Sequence, residues 1–242
     1  MYTQKTLIML VIGLSLALLV LACVGWLLEL RAIPEPVVYF SDEFQSLDNW
    51  TVIDTTWLTE FSERQGVAAL SRHLYVAPNI HRDIQLEESP PDNVVWHFST
   101  RIDSFTEEAF TLGGIYFPTE SVVIVMDRKG KIGVAGNIFE IPKYTSTRRH
   151  VISKEKWHEV YVHINNSDKA INIYLDNAIV YRGEWNSPSY PVKELRLGTV
   201  WLKGAGEYGA PTSVYYDQVS IANEGILPRP TLASYIRSLL NG

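Results

Sequence analysis

The sequence predicts an all-β protein, a two-sheet antiparallel jelly-roll sandwich, preceded by one transmembrane helix and followed by a short C-terminal helix. Three observations predict the sandwich. From Trp157 to Gly183, apolar and polar residues alternate in three short runs, the pattern of strands with one buried face. Only the turns Asn165–Asp168 and Asp176–Asn177 separate these runs, and turns this short join antiparallel neighbours. From Val37 onward, short β-type runs recur at even spacing without a convincing helix, as in sandwiches and jelly rolls.

The bulk composition fits one large globular domain and argues against a nucleic-acid partner. The chain has 242 residues, of which 46% are hydrophobic and 20% charged, enough to bury a sizeable core. Its net charge is -6, whereas binding to phosphates needs clustered Lys and Arg. The single cysteine, Cys23, lies in the apolar N-terminus, so the sandwich is expected to contain no disulfide and no thiolate chemistry.

The N-terminal segment predicts a membrane anchor, with the lipid bilayer as its partner. After a tail of residues 1–6, residues 7–28 carry no charge and cover the roughly 20 residues that a membrane-spanning helix needs. Two alternatives stay open. A cleaved signal peptide would have a shorter apolar core and a small-x-small site. A bacterial lipoprotein signal would use Val20–Cys23 as its lipobox and carry the lipid on Cys23.

The sandwich is predicted to follow a short linker. Residues 29–36 form that linker, which Pro34 and Pro36 stiffen. Residues 37–225 then form the sandwich. Its strands are predicted, in chain order, at Val37–Phe44, Trp50–Ile53, Trp57–Phe61, Val67–Val76, Asp83–Leu86, Val94–Asp103, Phe110–Phe117, Val122–Met126, Lys131–Ala135, Trp157–Ile164, Ala170–Leu175, Ile179–Arg182, Glu194–Leu202 and Val214–Ile221.

Residues 226–242 predict an amphipathic helix. After two prolines, Thr231 can cap a helix whose apolar residues recur at helical spacing: Leu232, Tyr235, Ile236, Leu239 and Leu240. A helix this short is marginal alone, so it must pack on something. The sandwich, a partner protein and the membrane surface all remain open as its contact.

Five short motifs resemble the concanavalin A-like lectin/glucanase superfamily, which includes laminin G-like domains, and they occur in the order of that superfamily. They are Phe40–Phe44 with Trp50 ("DDF…W"), Lys156–Val162 ("WHxVxV"), Ile173–Asn177 ("vyvDG", with Asn177 in place of Gly), Leu195–Gly198 ("i.lG") and Tyr215–Val219 ("yfDdv", the closing strand). The resemblance implies a jelly roll that works outside the cytoplasm. We therefore expect a single-pass protein with a cytoplasmic N-terminus and a periplasmic or extracellular domain. Because the superfamily holds enzymes, lectins and adhesion modules, the resemblance leaves function open.

The carboxylates predict binding without catalysis. Retaining glucanases of this fold carry E-x-D-x-x-E or E-x-D-x-E on one strand, which places both carboxylates on one face about 5 Å apart. No E-x-D occurs in this chain. The adjacent pairs Glu87-Glu88 and Glu107-Glu108 would point to opposite faces of a strand. A hydrolase that assembles its carboxylates from different strands is the less favoured alternative.

Candidate ligand-binding residues follow from what sugar sites require, an aromatic platform beside hydrogen-bonding groups. On the strand Val94–Asp103, one face is apolar and the other presents a polar stripe that includes His97 and Arg101. Trp185, Trp201 and Tyr208 lie in or beside late loops, where sandwich folds bind ligands. These five residues are the predicted ligand surface.

A structural Ca²⁺ is a further hypothesis. Asp217 alternates with Val219 and Ile221, so it is predicted to point inward, where a charge needs a partner or a metal. If the first and last strands are neighbours, Asp42 comes close, and two carboxylates suit Ca²⁺. The alternative is a carboxylate satisfied by backbone N–H groups or a tyrosine hydroxyl.

The expected function is a membrane-anchored extracytoplasmic module that recognises a glycan or envelope polymer. The alternative is an accessory or structural subunit of a membrane protein complex, which uses the span and the sandwich for protein contacts. The short linker favours this alternative somewhat, because it holds the domain close to the bilayer.

Overall fold

The computed structural model describes residues 4–53, 59–63, 68–72, 79–84, 93–103, 110–118, 121–127, 129–136, 151–185, 192–198, 212–229 and 231–232. The chain divides into two compact units, one of residues 36–227 and one of residues 1–35 with 228–242. Helix α1 spans Gln4–Ala32. The strands are β1 Val38–Asp42, β2 Thr51–Ile53, β3 Thr59–Glu63, β4 Ala68–Arg72, β5 Asn79–Asp83, β6 Asn93–Ile102, β7 Phe110–Tyr116, β8 Ser121–Met126, β9 Ile132–Gly136, β10 Trp157–Asn165, β11 Ala170–Leu175, β12 Ala178–Glu184, β13 Glu194–Gly198 and β14 Thr212–Ala222. A 3-10 turn follows at Glu224–Ile226.

Helix α1 is long and apolar enough to cross a membrane. The segment Ile8–Leu28 has a mean hydropathy of 2.8, and its apolar side chains are largely exposed. A helix with this composition fits a membrane span, because lipid chains can surround its apolar side chains. A signal sequence is similarly apolar.

The strands form two antiparallel sheets. The eight-stranded sheet has the order β12-β11-β10-β6-β14-β4-β3, and β1 also pairs with β14. The six-stranded sheet has the order β2-β5-β13-β7-β8-β9. Strand β14 pairs with β6 along most of its length, while β4 and β1 share its other edge. This is the predicted jelly-roll sandwich, so the prediction of the fold is confirmed.

The core lies between the apolar faces of the two sheets. Val94, Trp96 and Phe98 of β6 alternate inward from the eight-stranded sheet, and residues such as Ile124 and Leu195 face them from the six-stranded sheet. All belong to one buried cluster. The two-residue period of the sequence therefore produces two apolar faces that exclude water only when they meet.

Tyr216 joins the two sheets through a hydrogen-bonded hydroxyl at the centre of the core. It lies on β14 and is fully buried. Its hydroxyl donates to the carbonyl of Leu112 on β7 at 2.5 Å and accepts from the N–H of Gly198 on β13 at 3.1 Å. Burial raises the pKa of Tyr216 far above its usual value, so the phenol stays protonated and remains a donor.

Two predicted elements differ from the structure. The strand predicted at Asp83–Leu86 lies earlier, at Asn79–Asp83, because the register with β13 places these residues opposite Glu194–Gly198. Of the predicted C-terminal helix, residues 226–242, the structure describes only the start: Ile226 ends a 3-10 turn at Glu224–Ile226, and Leu232 is helical. Asn223 caps this turn by accepting the N–H of Gly225 at 3.0 Å. Residues 233–242 of the predicted helix lie outside the described residues.

Candidate functional site

The outer face of the eight-stranded sheet carries polar and aromatic side chains. His97 and Ser99 of β6, Glu159 and Tyr161 of β10, and Ser220 of β14 alternate with core residues and therefore point away from the core. His97, Ser99 and Ser220 are nevertheless only 7%, 6% and 4% exposed. Polar side chains this buried on an outer face indicate a recess rather than an open surface.

A hydrogen-bonded network runs across this face. Glu159 Oε2 lies 2.5 Å from His97 Nε2, and Glu159 Oε1 accepts from the Ser99 hydroxyl at 2.9 Å. On the other side of the imidazole, Ser220 Oγ lies 3.4 Å from Nδ1. The ring of Tyr161 stacks on His97 with centroids 4.4 Å apart. Because a carboxylate only accepts, Nε2 of His97 carries the proton towards Glu159, and in the neutral imidazole Nδ1 then accepts from Ser220.

Glu159 supplies a negative charge beside this network. The hydrogen bond from His97 is the largest cause that holds the pKa of Glu159 below its usual value, and burial opposes it. The carboxyl group is therefore ionised at neutral pH, and it remains close to half exposed.

A cavity opens beside the network. Its volume is about 340 Å³, and it is lined by Val38, Ser41, His97, Tyr161, Gln218, Ser220 and Ile226. A β-bulge shapes one wall, because the pairing of β14 with β6 passes from Tyr216 opposite Thr100 to Val219 opposite Phe98. Two residues of β14, Asp217 and Gln218, thus stand opposite the single residue Ser99.

Further along the same face, an aromatic row lies at the other end of the strands. Trp157 on β10 is 41% exposed and is the direct partner of Arg101 on β6, which pairs in turn with Tyr215 on β14. The guanidinium carbon of Arg101 lies 5.5 Å from the centroid of the Tyr215 ring, and its Nε donates to Asp103 at 2.9 Å. Trp157 is not among the ligand residues predicted from the sequence. The alternation of Trp157 with the inward residues His158 and Val160 was the signal for its outward direction.

The structure brings only part of the predicted ligand surface together. His97 lies in the cavity wall and Arg101 in the aromatic row. Trp185 is buried, its ring packs 5.5 Å from Phe117, and its indole N–H donates to the Asn166 side chain at 2.9 Å; its role in ligand binding stays a prediction. Trp201 and Tyr208 lie outside the described residues.

The structure also corrects the predicted direction of Asp217. The bulge adds a residue to β14, so Asp217 is exposed instead of sharing the inward face of Val219 and Ile221. Asp42 is engaged by protein donors, accepting the N–H of Phe44 at 2.7 Å and the Arg82 guanidinium at 2.5 Å. Among the residues that the structure describes, no group of three or more His, Cys, Asp or Glu could hold a metal. The calcium site stays a prediction, and melting with and without excess EDTA tests it.

The outer face of the six-stranded sheet contains a second polar cluster. Arg196 donates hydrogen bonds to Glu194 on β13, from Nε to one carboxylate oxygen and from Nη2 to the other at 3.3 Å. The guanidinium carbon of Arg196 lies 4.6 Å from the centroid of the Tyr116 ring. Glu194 is also the direct cross-strand partner of Asp83 on β5. These two carboxylates come from different strands, the arrangement that the hydrolase alternative requires. Both oxygens of Glu194 accept hydrogen bonds from Arg196, whereas a general acid has to donate one.

Comparisons with known proteins support the fold class. No protein-family profile and no curated protein matches the sequence. Solved structures do match. One is a sialidase, with a TM-score of 0.58 and 11% identity over 78% of this chain and 19% of that chain. This chain thus spans about a fifth of the sialidase.

Two smaller solved proteins match over most of their own length. One comes from work on endo-acting O-glycanases that human gut microbiota express to initiate mucin breakdown, with a TM-score of 0.57 and 13% identity over 77% of this chain and 99% of that chain. The other is a β-glucanase of Bacillus licheniformis, with a TM-score of 0.52 and 13% identity over 75% of this chain and 96% of that chain. These likenesses support the jelly-roll sandwich, the fold of the concanavalin A-like proteins that the sequence motifs resemble, and identities this low show the fold alone.

Proposed function

We propose that this protein is a membrane-anchored, extracytoplasmic glycan-binding module that does not cleave its ligand. The observation that carries the proposal is the row of Trp157, Arg101 and Tyr215, which continues along the same face to the cavity at His97. An exposed indole offers a flat apolar surface for the C–H face of a sugar, and the neighbouring polar groups can bond its hydroxyls. The solved neighbours add support, since they carry the names of glycan-degrading enzymes.

Binding without cleavage is supported by the state of the carboxylates. Glu159 accepts hydrogen bonds from His97 and Ser99, and Glu194 is paired with Arg196. Both groups are thereby held as structural acceptors. Glycoside hydrolysis needs one carboxyl group that carries a proton beside a second that does not.

A glycan array tests the proposal with the full chain in detergent. We expect binding to a restricted set of glycans, and Trp157→Ala should weaken that binding about tenfold, the ~1.4 kcal/mol expected of a lost aromatic contact. Trp157→Phe should retain most of it, because a ring remains. Lys156→Ala, a change at the exposed neighbouring residue, is the matched control. Unchanged binding by Trp157→Ala, or an array without signal for the folded protein, would refute the proposal.

The accessory-subunit alternative has its own supporting observation. The apolar side chains of α1 from Ile8 to Leu28 are largely exposed, and only residues 33–37 separate α1 from β1. A span of this kind can pack against other helices, and the short linker restricts the reach of the sandwich. Pull-down of the full chain, compared with a chain whose α1 is replaced by an unrelated span, separates the two functions. A partner that depends on the native α1 sequence would favour the subunit.

A further inference from the structure

We propose that the cavity beside His97 binds the acetamido group of an N-acetylated hexosamine. This inference rests on the proposed glycan-binding function and names its ligand class. The cavity has a volume of about 340 Å³, so it accepts one substituted sugar ring rather than a long stretch of polymer. Its wall combines an apolar part with a hydrogen-bonding part, and the acetamido group has the same two parts.

The apolar part of the wall consists of Val38 and Ile226. Val38 is 53% exposed at the start of β1, although most valines in strands are buried. A methyl group that covers such a side chain is stabilised by loss of apolar surface to water. A hydroxyl or an ammonium group in the same place would lose hydration without gaining a hydrogen bond.

The polar part of the wall offers the donor and the acceptor that a secondary amide needs. In the neutral imidazole of His97, Nε2 carries the proton shared with Glu159, and the Ser220 hydroxyl hydrogen is then directed to Nδ1. The lone pairs of Ser220 therefore remain as acceptors for the amide N–H. Gln218, which the bulge brings to the cavity, presents amide N–H groups for the acetyl carbonyl.

The charge near the cavity supports a neutral ligand. Glu159 is ionised beside the network, so a carboxylated sugar would meet a like charge. Both Glu159 oxygens already accept from His97 and Ser99, and Glu159 does not line the cavity. The same charge attracts a cationic amino sugar, but Glu159 lies outside the cavity lining, so it forms no direct ion pair with a ligand in the cavity.

Matched sugars test the inference with the full chain in detergent. Methyl β-glycosides of the gluco and galacto series, each with acetamido, amino or hydroxyl at C2, are titrated by calorimetry. We expect at least one acetamido sugar to bind about tenfold more tightly than its amino and hydroxyl counterparts. Val38→Thr, which exchanges a methyl for a hydroxyl at equal size, should reduce that preference about fourfold, as expected for one buried methyl group. Val37→Thr, at the exposed neighbour that does not line the cavity, should leave the preference unchanged.

Each outcome decides between the two proposals. Glycan-array binding that Trp157→Ala weakens, together with equal affinity for the three C2 substituents, overturns the acetamido inference and leaves glycan binding intact. Tighter binding of the amino sugars overturns the inference as well. An array without any signal for the folded protein overturns both proposals. Loss of the preference in Val38→Thr but also in Val37→Thr would place the contact outside the cavity and overturn the inference.

Discussion

At the scale of single residues, histidines of similar burial have different roles because their neighbours differ. His158 is held by Asp176 at 3.1 Å on Nδ1 and by the Ser153 N–H at 3.0 Å on Nε2. His97 is held by Glu159 and Ser220. Among the described residues, His163 is buried with neither ring nitrogen hydrogen-bonded. The Glu224 carboxylate lies 3.8 Å from its Nε2.

His163 predicts a loss of stability in mild acid. Burial lowers the pKa of His163, while Glu224 and Asp168 act in the opposite direction. With its pKa lowered, the folded protein binds fewer protons at this site than the unfolded chain, so stability falls as the pH drops below about 6.5 towards the folded pKa. Urea unfolding at pH 7.5, 6.5 and 5.5 measures this. The variant His163→Gln should lose this part of the pH dependence, and an equal slope in both proteins would contradict the assignment to His163.

At the scale of elements, β14 organises the eight-stranded sheet. It pairs with β6 on one edge and with β4 and β1 on the other. The bulge at Asp217 and Gln218 lets both halves of the strand keep their apolar residues inward, with Tyr216 before it and Val219 after it. The same bulge turns Gln218 to the cavity, so a local irregularity of one strand shapes the candidate site.

The bulge predicts that two single-residue deletions in β14 differ strongly in their effect on the melting temperature. Deletion of Asp217 leaves one residue opposite Ser99 and keeps both registers on β6, so we expect a folded protein. Deletion of Ser220 moves Ile221 and Ala222 by one residue and reverses their faces. We expect it to lower the melting temperature far more, by at least about 10 °C, since several kcal/mol of burial are lost. Equal melting temperatures for the two deletions would show that the bulge does not absorb the change.

The hydrogen bonds of Tyr216 across the core predict that removal of its hydroxyl group lowers the free energy of unfolding. Tyr216→Phe leaves the Gly198 N–H and the Leu112 carbonyl without this partner inside the buried core. We expect the free energy of unfolding to fall by about 1–3 kcal/mol, measured by urea denaturation. Tyr161→Phe on the outer face keeps its ring on His97 and should change stability by less than about 0.5 kcal/mol. A neutral Tyr216→Phe would mean that water replaces the lost hydroxyl.

At the scale of the whole molecule, the aromatic row and the first and last strands' outer termini lie at opposite ends of the sandwich. Val37 and Asn223 exchange hydrogen bonds of 3.0 and 2.9 Å, so the first and last strands begin and end together. Trp157, Arg101 and Tyr215 lie at the opposite ends of their strands. The aromatic row thus lies at the end of the sandwich opposite Val37 and Asn223.

The apolar helix predicts that the protein is retained in membranes with its N-terminus intact. We expect the full chain to resist extraction by alkaline carbonate, since roughly 20 apolar residues insert stably. The intact mass should include the N-terminal segment. Cys23→Ser should change the mass only by the substitution itself and should leave membrane retention unchanged. Release of a chain that begins after residue 28 would identify a signal peptide. A lipid adduct that Cys23→Ser abolishes would identify a lipoprotein.

The sequence by itself determined the fold class, because a two-residue period and short turns leave no alternative to antiparallel strands with one apolar face. It also determined the apolar helix and the polar stripe of β6, where His97 and Arg101 point outward. Only the tertiary structure decided which side chains meet. The bulge reversed the direction of Asp217, the core enclosed Trp185, and pairing between distant strands brought His97, Glu159 and Ser220 together. Periodicity fixes the face of a residue within a strand, whereas register and bulges are set by the partner strand, which lies far away in the sequence.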